Sequence, residues 1–121
     1  MLQVGIDPAV VDFSAWPGQS ADALRARIDV AHGQLRDAGF AVSVCLLPDD
    51  ADSAETVLRS AMADRRFDTV EIGAGLRTSA DYTSVFERAV NTVVACQPGV
   101  SLCFNDSPET TLAAVRRGLG R

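Results

Sequence analysis

The chain contains no lysine: all eleven of its basic residues are arginine. A Schiff-base enzyme needs a lysine amine and a Walker-type phosphate loop needs its lysine, so both are excluded. Response-regulator receivers carry an invariant lysine of their own and an aspartate ending the third strand, where this chain has Gly73, so that family is excluded too. Histidine is almost as scarce. His32 stands alone, in the second half of a predicted helix that runs away from the carboxyl edge of the sheet. Histidine triads and histidine metal centres therefore lose their central residue. The three cysteines, Cys45, Cys96 and Cys103, are odd in number and lack C-x-x-C spacing. They read as buried free thiols, not as a zinc site or a disulfide framework.

No apolar run approaches the roughly 18 residues of a membrane span. The opening "MLQVGIDP" has no basic residues followed by an apolar stretch, so no signal peptide is expected and the predicted location is cytoplasmic. A basic stripe is also missing. With a net charge of −5 and a pI near 4.6, neither nucleic acid nor an anionic membrane surface is an expected partner.

What is present is a globular composition: 121 residues, 47 % hydrophobic, with a mean hydropathy of +0.10. That is enough for one domain, residues 1–121, with its own core. Four β-type runs, Leu2–Ile6, Ala41–Leu47, Thr69–Gly73 and Val100–Phe104, are rich in Val, Ile and Leu and mostly apolar on both faces. Four helical patterns alternate with them. The first runs from about Ala21 to Ala38 and the second from about Ser53 to Arg65. A third carries the stripe Tyr82, Val85, Phe86, Ala89, Val90, Val93, Val94. The fourth has Ser107 as cap and Pro108 in its first position.

This alternation predicts an α/β fold: a single-domain, three-layer, flavodoxin-like (Rossmann-like) sandwich. The expected sheet has four parallel strands in the order 2-1-3-4. Helices one and four cover one face, two and three the other.

In such a sheet ligands bind beyond the carboxyl ends of the strands, where the strand order reverses. That crevice, between strands one and three, is expected to hold Asp7 and the long loop Asp7–Ser20 on one side. Gly73, Gly75 and Arg77 line the other, and strand four adds Asn105. The loop is longer than its connection requires and carries Val10, Val11, Phe13 and the only tryptophan, Trp16. It folds over the edge as a pocket wall, packs on a second subunit, or packs on its own domain.

Strand, Gly-Ala-Gly, helix is a pattern that often cradles phosphate. Here "TSAD" reads as a capping box, with Thr78 as cap and Asp81 where a phosphate would sit. Ten of the sixteen acids fall near the carboxyl edge: Asp7, Asp12, Asp22, Asp49, Asp50, Asp52, Glu55, Asp81, Asp106 and Glu109. Of the arginines only Arg77 is placed with them. The crevice should therefore disfavour polyanions.

Arg77 either pairs with Asp7, Asp81 or Asp106, or meets one carboxylate or enolate oxygen of a substrate. Asp7 either caps the following turn or acts as general base. Asp7 and Asp106 are the only acids placed to share a Mg²⁺ ion, too few to predict a metal. Glu71 stands inside strand three between Val70 and Ile72. Buried, it needs a partner and a raised pKa, so snorkelling or an arginine pair is expected.

The stretches "FDTVEIGAGLRTSADYTSVFERAVNTV" and "VSLCFNDSPETTLAAVRRGL", with "VGIDP" near the start, resemble a group of short, uncharacterised bacterial α/β proteins. Their shared pattern falls here on Ile72–Arg77, Phe86, Glu87, Asn91, Phe104, Asn105, Pro108 and Thr111, with Thr110 as an alternative to Thr111. The resemblance implies no activity, but it selects the same carboxyl-edge residues.

Two readings of function follow. In the first, the domain binds a small metabolite at the crevice through Phe13, Trp16, Gly73, Gly75, Arg77 and Asn105, without metal or cofactor. Its catalytic form is simple acid–base chemistry, isomerisation or elimination, with Asp7 as base and Arg77 stabilising negative charge. In the second, it is a non-catalytic homodimeric interaction or regulatory module, motivated by the apolar loop and the self-capped helices. Flavin binding is the weakest option, because the Thr/Ser-rich loop after strand one is absent.

Overall fold

The structure, a computed structural model, describes residues 1–14 and 16–120. Four parallel strands form one sheet in the order β2-β1-β3-β4, the order expected from the alternation: β1 (Leu2–Ile6), β2 (Ser43–Leu47), β3 (Thr69–Ile72) and β4 (Ser101–Phe104). Around it lie α1 (Ala21–Asp37), α2 (Ala51–Ala63), α4 (Thr83–Cys96) and α5 (Thr111–Gly118). A one-turn helix, α3 (Ala74–Arg77), was not expected.

The helices start where side chains can hold free amides. Ser20 Oγ accepts from the Ala23 N–H at the head of α1, and Asp50 from the Ser53 N–H at the head of α2. After α1 and α4 the chain turns through Gly39 and Gly99, whose φ values of +93° and +87° favour glycine.

The start of α4 differs from the expected capping box. The Gly73-Ala74-Gly75 segment does not turn into a loop but enters α3 at once, with Gly73 as its N-cap residue. Thr78 closes that turn, its hydroxyl donating to the Ala74 carbonyl at 2.8 Å. Ser79, not Thr78, accepts from the Asp81 N–H. A 3-10 turn, Ala80–Tyr82, then leads into α4. The reason is local: Ala-Gly-Leu-Arg can complete one helical turn before Thr78 is reached.

Register divides the sheet into two unlike faces. Leu2, Val4 and Ile6 of β1 share a face with Val70 and Ile72 of β3. They pack with Leu58 and Met62 of α2 and with Val85, Ala89 and Val93 of α4 in the main core. The opposite face lies under α1 and α5, where a smaller cluster holds Leu35, Cys103, Ala114 and Val115. This face corrects the expectation of strands apolar on both sides. Gln3, Glu71 and Cys103 stand in one row across β1, β3 and β4, and all three are buried.

Candidate functional site

On the polar face, at the carboxyl end of β1 and β3, a cavity of about 80 Å³ opens. Several waters or a few ligand atoms fit such a volume. Its floor is made of glycines, Gly5, Gly73 and Gly75, and its roof of Leu24, Ile28 and Ala31 from α1. The polar lining is Gln3, His32, Asn105 and Thr111. None of the three floor glycines has a positive φ, so their value lies in space. A Cβ built at Gly73 would find its nearest atom, the Val4 carbonyl oxygen, at 3.6 Å, an ordinary contact. At Gly75 it would meet Ile6 Cγ2 at 3.1 Å.

Behind the wall lies Glu71, fully buried. Among the described residues neither of its carboxyl oxygens has a partner in good hydrogen-bond geometry, although the Gln3 amide and the Asn105 N–H lie near enough to act on it weakly. Burial pushes its pKa up to about 7; the side chain of Gln3 and the main-chain N–H of Asn105, both cavity residues, pull the other way. Snorkelling and an arginine pair, the expectations for this residue, are both overturned. Position 71 faces α1 and α5, which cover it completely and bring no guanidinium to it.

Gln3 reaches from Glu71 towards His32. The His32 Nε2 lies 3.4 Å from Gln3 Oε1, so the tautomer with hydrogen on Nε2 donates to the amide. His32 is buried, and burial first, then Arg36, holds its pKa below the ordinary value against the pull of Asp29. Its expected position at the wrong end of α1 is thus corrected. It sits one turn after Ile28 and two after Leu24, a spacing of four that places all three over the cavity. That spacing is visible in the sequence, and over the 17 residues of α1 the crossover direction does not decide which residues reach the cavity.

The other predicted site residues are scattered. Asn105 lines the cavity but is already engaged. Its Oδ1 accepts from the Ala74 N–H at 2.8 Å and its Nδ2 donates to Thr111 Oγ1 at 2.9 Å. It ties the end of β4 to the starts of α3 and α5. Arg77 lines neither this cavity nor the cleft described next. Its guanidinium donates to the Asn105 carbonyl at 2.8 Å, lies 3.6 Å from Asp106 and stands over the Phe104 ring at 5.9 Å.

Asp7 caps the 3-10 turn Pro8–Val10 by accepting from the Ala9 N–H, and it pairs with Arg25 at 3.4 Å. It too lines neither space, and it does not meet Arg77. Phe13 is half-buried and outside both.

Trp16 belongs to a second, wider cleft of about 450 Å³, with Val11, Asp12, Thr78, Ser79, Asp81 and Tyr82. Ile6, Leu24 and Gly75 are walls of both spaces, so the cleft adjoins the cavity. The loop after β1 is therefore a wall of the carboxyl edge, with Val10 and Val11 packed against the main core.

Arginines reach the edge more often than expected, because long side chains climb from the helices. Arg27 forks onto Glu109 at 2.7 Å, and Arg88 meets Asp52 at 2.9 Å and Glu55 at 3.0 Å. Three acids around Tyr82 are left without an arginine among the described residues: Asp12, Asp49 and Asp81. Burial first, then these three carboxylates, raises the Tyr82 pKa.

Among the described residues no group of three or more His, Cys, Asp or Glu side chains comes together to hold a metal ion. Cys45 and Cys103 are buried free thiols, and Cys96 is a partly exposed one. No described helix is long and apolar enough to cross a membrane. Comparison with protein-family models, with curated proteins and with solved structures returned no match.

Proposed function

We propose that this chain binds a small polar metabolite in the glycine-floored cavity, with Glu71 as the group that makes the site functional. The observation that carries the reading is a fully buried Glu71 behind the cavity wall, with no counter-charge and only weak contacts from Gln3 and Asn105, both of which line the cavity. An unpaired buried acid costs stability. A group of that kind calls for an explanation, and completion by a ligand or a catalytic role is one.

A carboxyl titrating near pH 7 also suits general acid or base work. In a catalytic form of this reading, Glu71 takes the role that the sequence assigned to Asp7. Gln3 and His32 then orient and relay. Arg77 is bound to Asn105 and Asp106, so it supplies structure instead of charge to the reacting atoms.

The test is a thermal-shift screen of metabolites on the wild-type chain, Glu71→Gln and Gly73→Ala. A ligand at a hundred times its dissociation constant adds about 2.7 kcal/mol, a shift of several degrees for a domain of this size. The expected hit is lost in both variants. A hit that persists unchanged in both overturns the reading and moves the site elsewhere.

A further inference from the structure

The two edges of the sheet are finished differently. At β4, α5 packs on the strand through Cys103, Ala114 and Val115. Ser101 Oγ also donates to the Gly118 carbonyl at 2.7 Å, and Arg117 to the Phe104 carbonyl at 2.8 Å. The other edge strand, β2, pairs with β1 alone. Its Ser43 N–H donates to the Met1 carbonyl, and its Leu47 carbonyl accepts from the Asp7 N–H. Residues 43, 45 and 47 thus turn their backbone groups towards β1, and those of Val44 and Leu46 point outward. Among the described residues nothing meets them. Open edges are usually protected by charge, proline or a bulge. The strand "SVCLL" has neither charge nor proline, and its register with β1 runs unbroken.

This edge is apolar on both faces of the sheet. Val44 shares a face with Gln3 and is 42 % exposed. On the other face, Glu55 and Arg59 of α2 turn to α4, where they meet Arg88 and Cys96. Val57, midway between them in α2, therefore turns away from α4 towards the β2 edge. It is 40 % exposed. Arg65 lies 3.5 Å from Ser43 Oγ, at the start of β2. It has no acidic partner among the described residues, and the exposed Asp49, just past the end of β2, has no basic one.

We propose that the β2 edge binds a second copy of this chain. The two β2 strands pair antiparallel about a twofold axis through Cys45, and the two sheets become one. Val44 then stands opposite the partner's Leu46, and Leu46 opposite the partner's Val44, each pair exchanging both backbone bonds. Val57 is the central residue of α2 as Cys45 is of β2. The same axis therefore sets Val57 against the partner's Val57, and Arg65 beside the partner's Asp49. Strand, helix flank and charge are all self-complementary, as a twofold interface requires. A foreign peptide satisfies the strand alone; a copy also matches Val57 and Arg65. None of these residues lines the cavity or the cleft, so the inference stands apart from the ligand reading.

Sedimentation equilibrium of the purified chain at micromolar concentration tests it. The expected mass is twice the 12.8 kDa of one chain. Val44→Asp and Val57→Arg should each give the single-chain mass, with a native circular-dichroism spectrum showing that they fold. Arg65→Glu and Asp49→Arg should each raise the dimer dissociation constant by about tenfold, because the twofold turns two exposed pairs from attraction to repulsion. The double reversal, R65E with D49R, should regain the wild-type constant, which a structural role for either residue alone does not produce. A single-chain mass for the wild type, with or without a foreign peptide bound, overturns the proposal. A dimer unmoved by both Val44→Asp and Val57→Arg does so too. Failure of the double reversal to restore association overturns the antiparallel register.

Discussion

The two faces of the sheet are built on opposite terms. Under α2 and α4 the strands present Leu2, Val4, Ile6, Val70 and Ile72, with the four aliphatics Leu2, Val4, Val70 and Ile72 fully buried. Under α1 and α5, across the same strands, stand Gln3, Glu71, Cys103 and Asn105 with two floor glycines, Gly5 and Gly73. One face fills its volume with carbon; the other leaves a cavity and buries an acid without a counter-charge. Hydrophobic burial explains the first face. It does not explain the second, where a carboxyl is buried without a counter-charge. That asymmetry is the reason the proposed site is placed on the second face.

Truncation should separate the faces most sharply. Leu58 is fully buried in the apolar core, and Leu58→Ala is expected to lower stability by about 3–4 kcal/mol through lost transfer energy and a residual cavity. Urea unfolding measures it. A loss below about 1 kcal/mol would mean that this face does not hold the fold.

Glu71→Gln should act in the opposite direction. With its pKa moved from 4.5 to about 7, the native state holds the proton more tightly than the unfolded chain. Stability is then fully present below pH 4.5 and falls as pH rises to about 7. The loss is roughly 3 kcal/mol in all, and it stays at that value above pH 7. Glu71→Gln should flatten this profile and be the more stable protein at pH 8. Chemical denaturation between pH 4.5 and 8 tests both statements, and a wild-type curve that rises through that window refutes the burial argument.

The next effect concerns the hinge between the faces and the helices. Asn105 satisfies the Ala74 N–H and the Thr111 hydroxyl from one buried amide. Asn105→Ala strands the Ala74 N–H, while the Thr111 hydroxyl keeps its bond to the Pro108 carbonyl, and should cost about 2 kcal/mol. Hydrogen exchange should localise the loosening to α3 and the start of α5. Uniform loss of protection across the sheet would count against this role.

Much of this architecture was legible in the residues. β1 was placed at its observed bounds, and the strand order followed from alternation and short connections. The polar face was not recovered, because short runs such as "TVEI" and "VSLCF" are classed by their majority of apolar residues. Which minority positions share a face depends on register between strands distant in sequence. Gln3, Glu71 and Cys103 become one row only when β1, β3 and β4 are paired.

Asp7 and Arg77 were chosen because charged residues at strand ends usually serve a site. Here each finds a local partner first, Ala9 and Arg25 for Asp7, Asn105 and Asp106 for Arg77. Charge type was readable, but its neutralisation by long arginines rising from helices was not.

The smallest stability effect should carry the largest functional one. Gly73 has φ −69° and ψ 150°, a conformation open to any residue, and a Cβ there makes only ordinary contacts. Gly73→Ala should therefore change stability by less than about 1 kcal/mol, with reduced freedom of the unfolded chain favouring the variant. Yet its methyl group projects from the floor of an 80 Å³ cavity, where one carbon removes a sizeable part of the space for a ligand. Measured together, an unchanged denaturation midpoint and a lost ligand response would separate the two faces by purpose. A large drop in stability would show instead that the glycine floor is needed for packing, and the cavity would then be a by-product of how β1 and β3 approach α1.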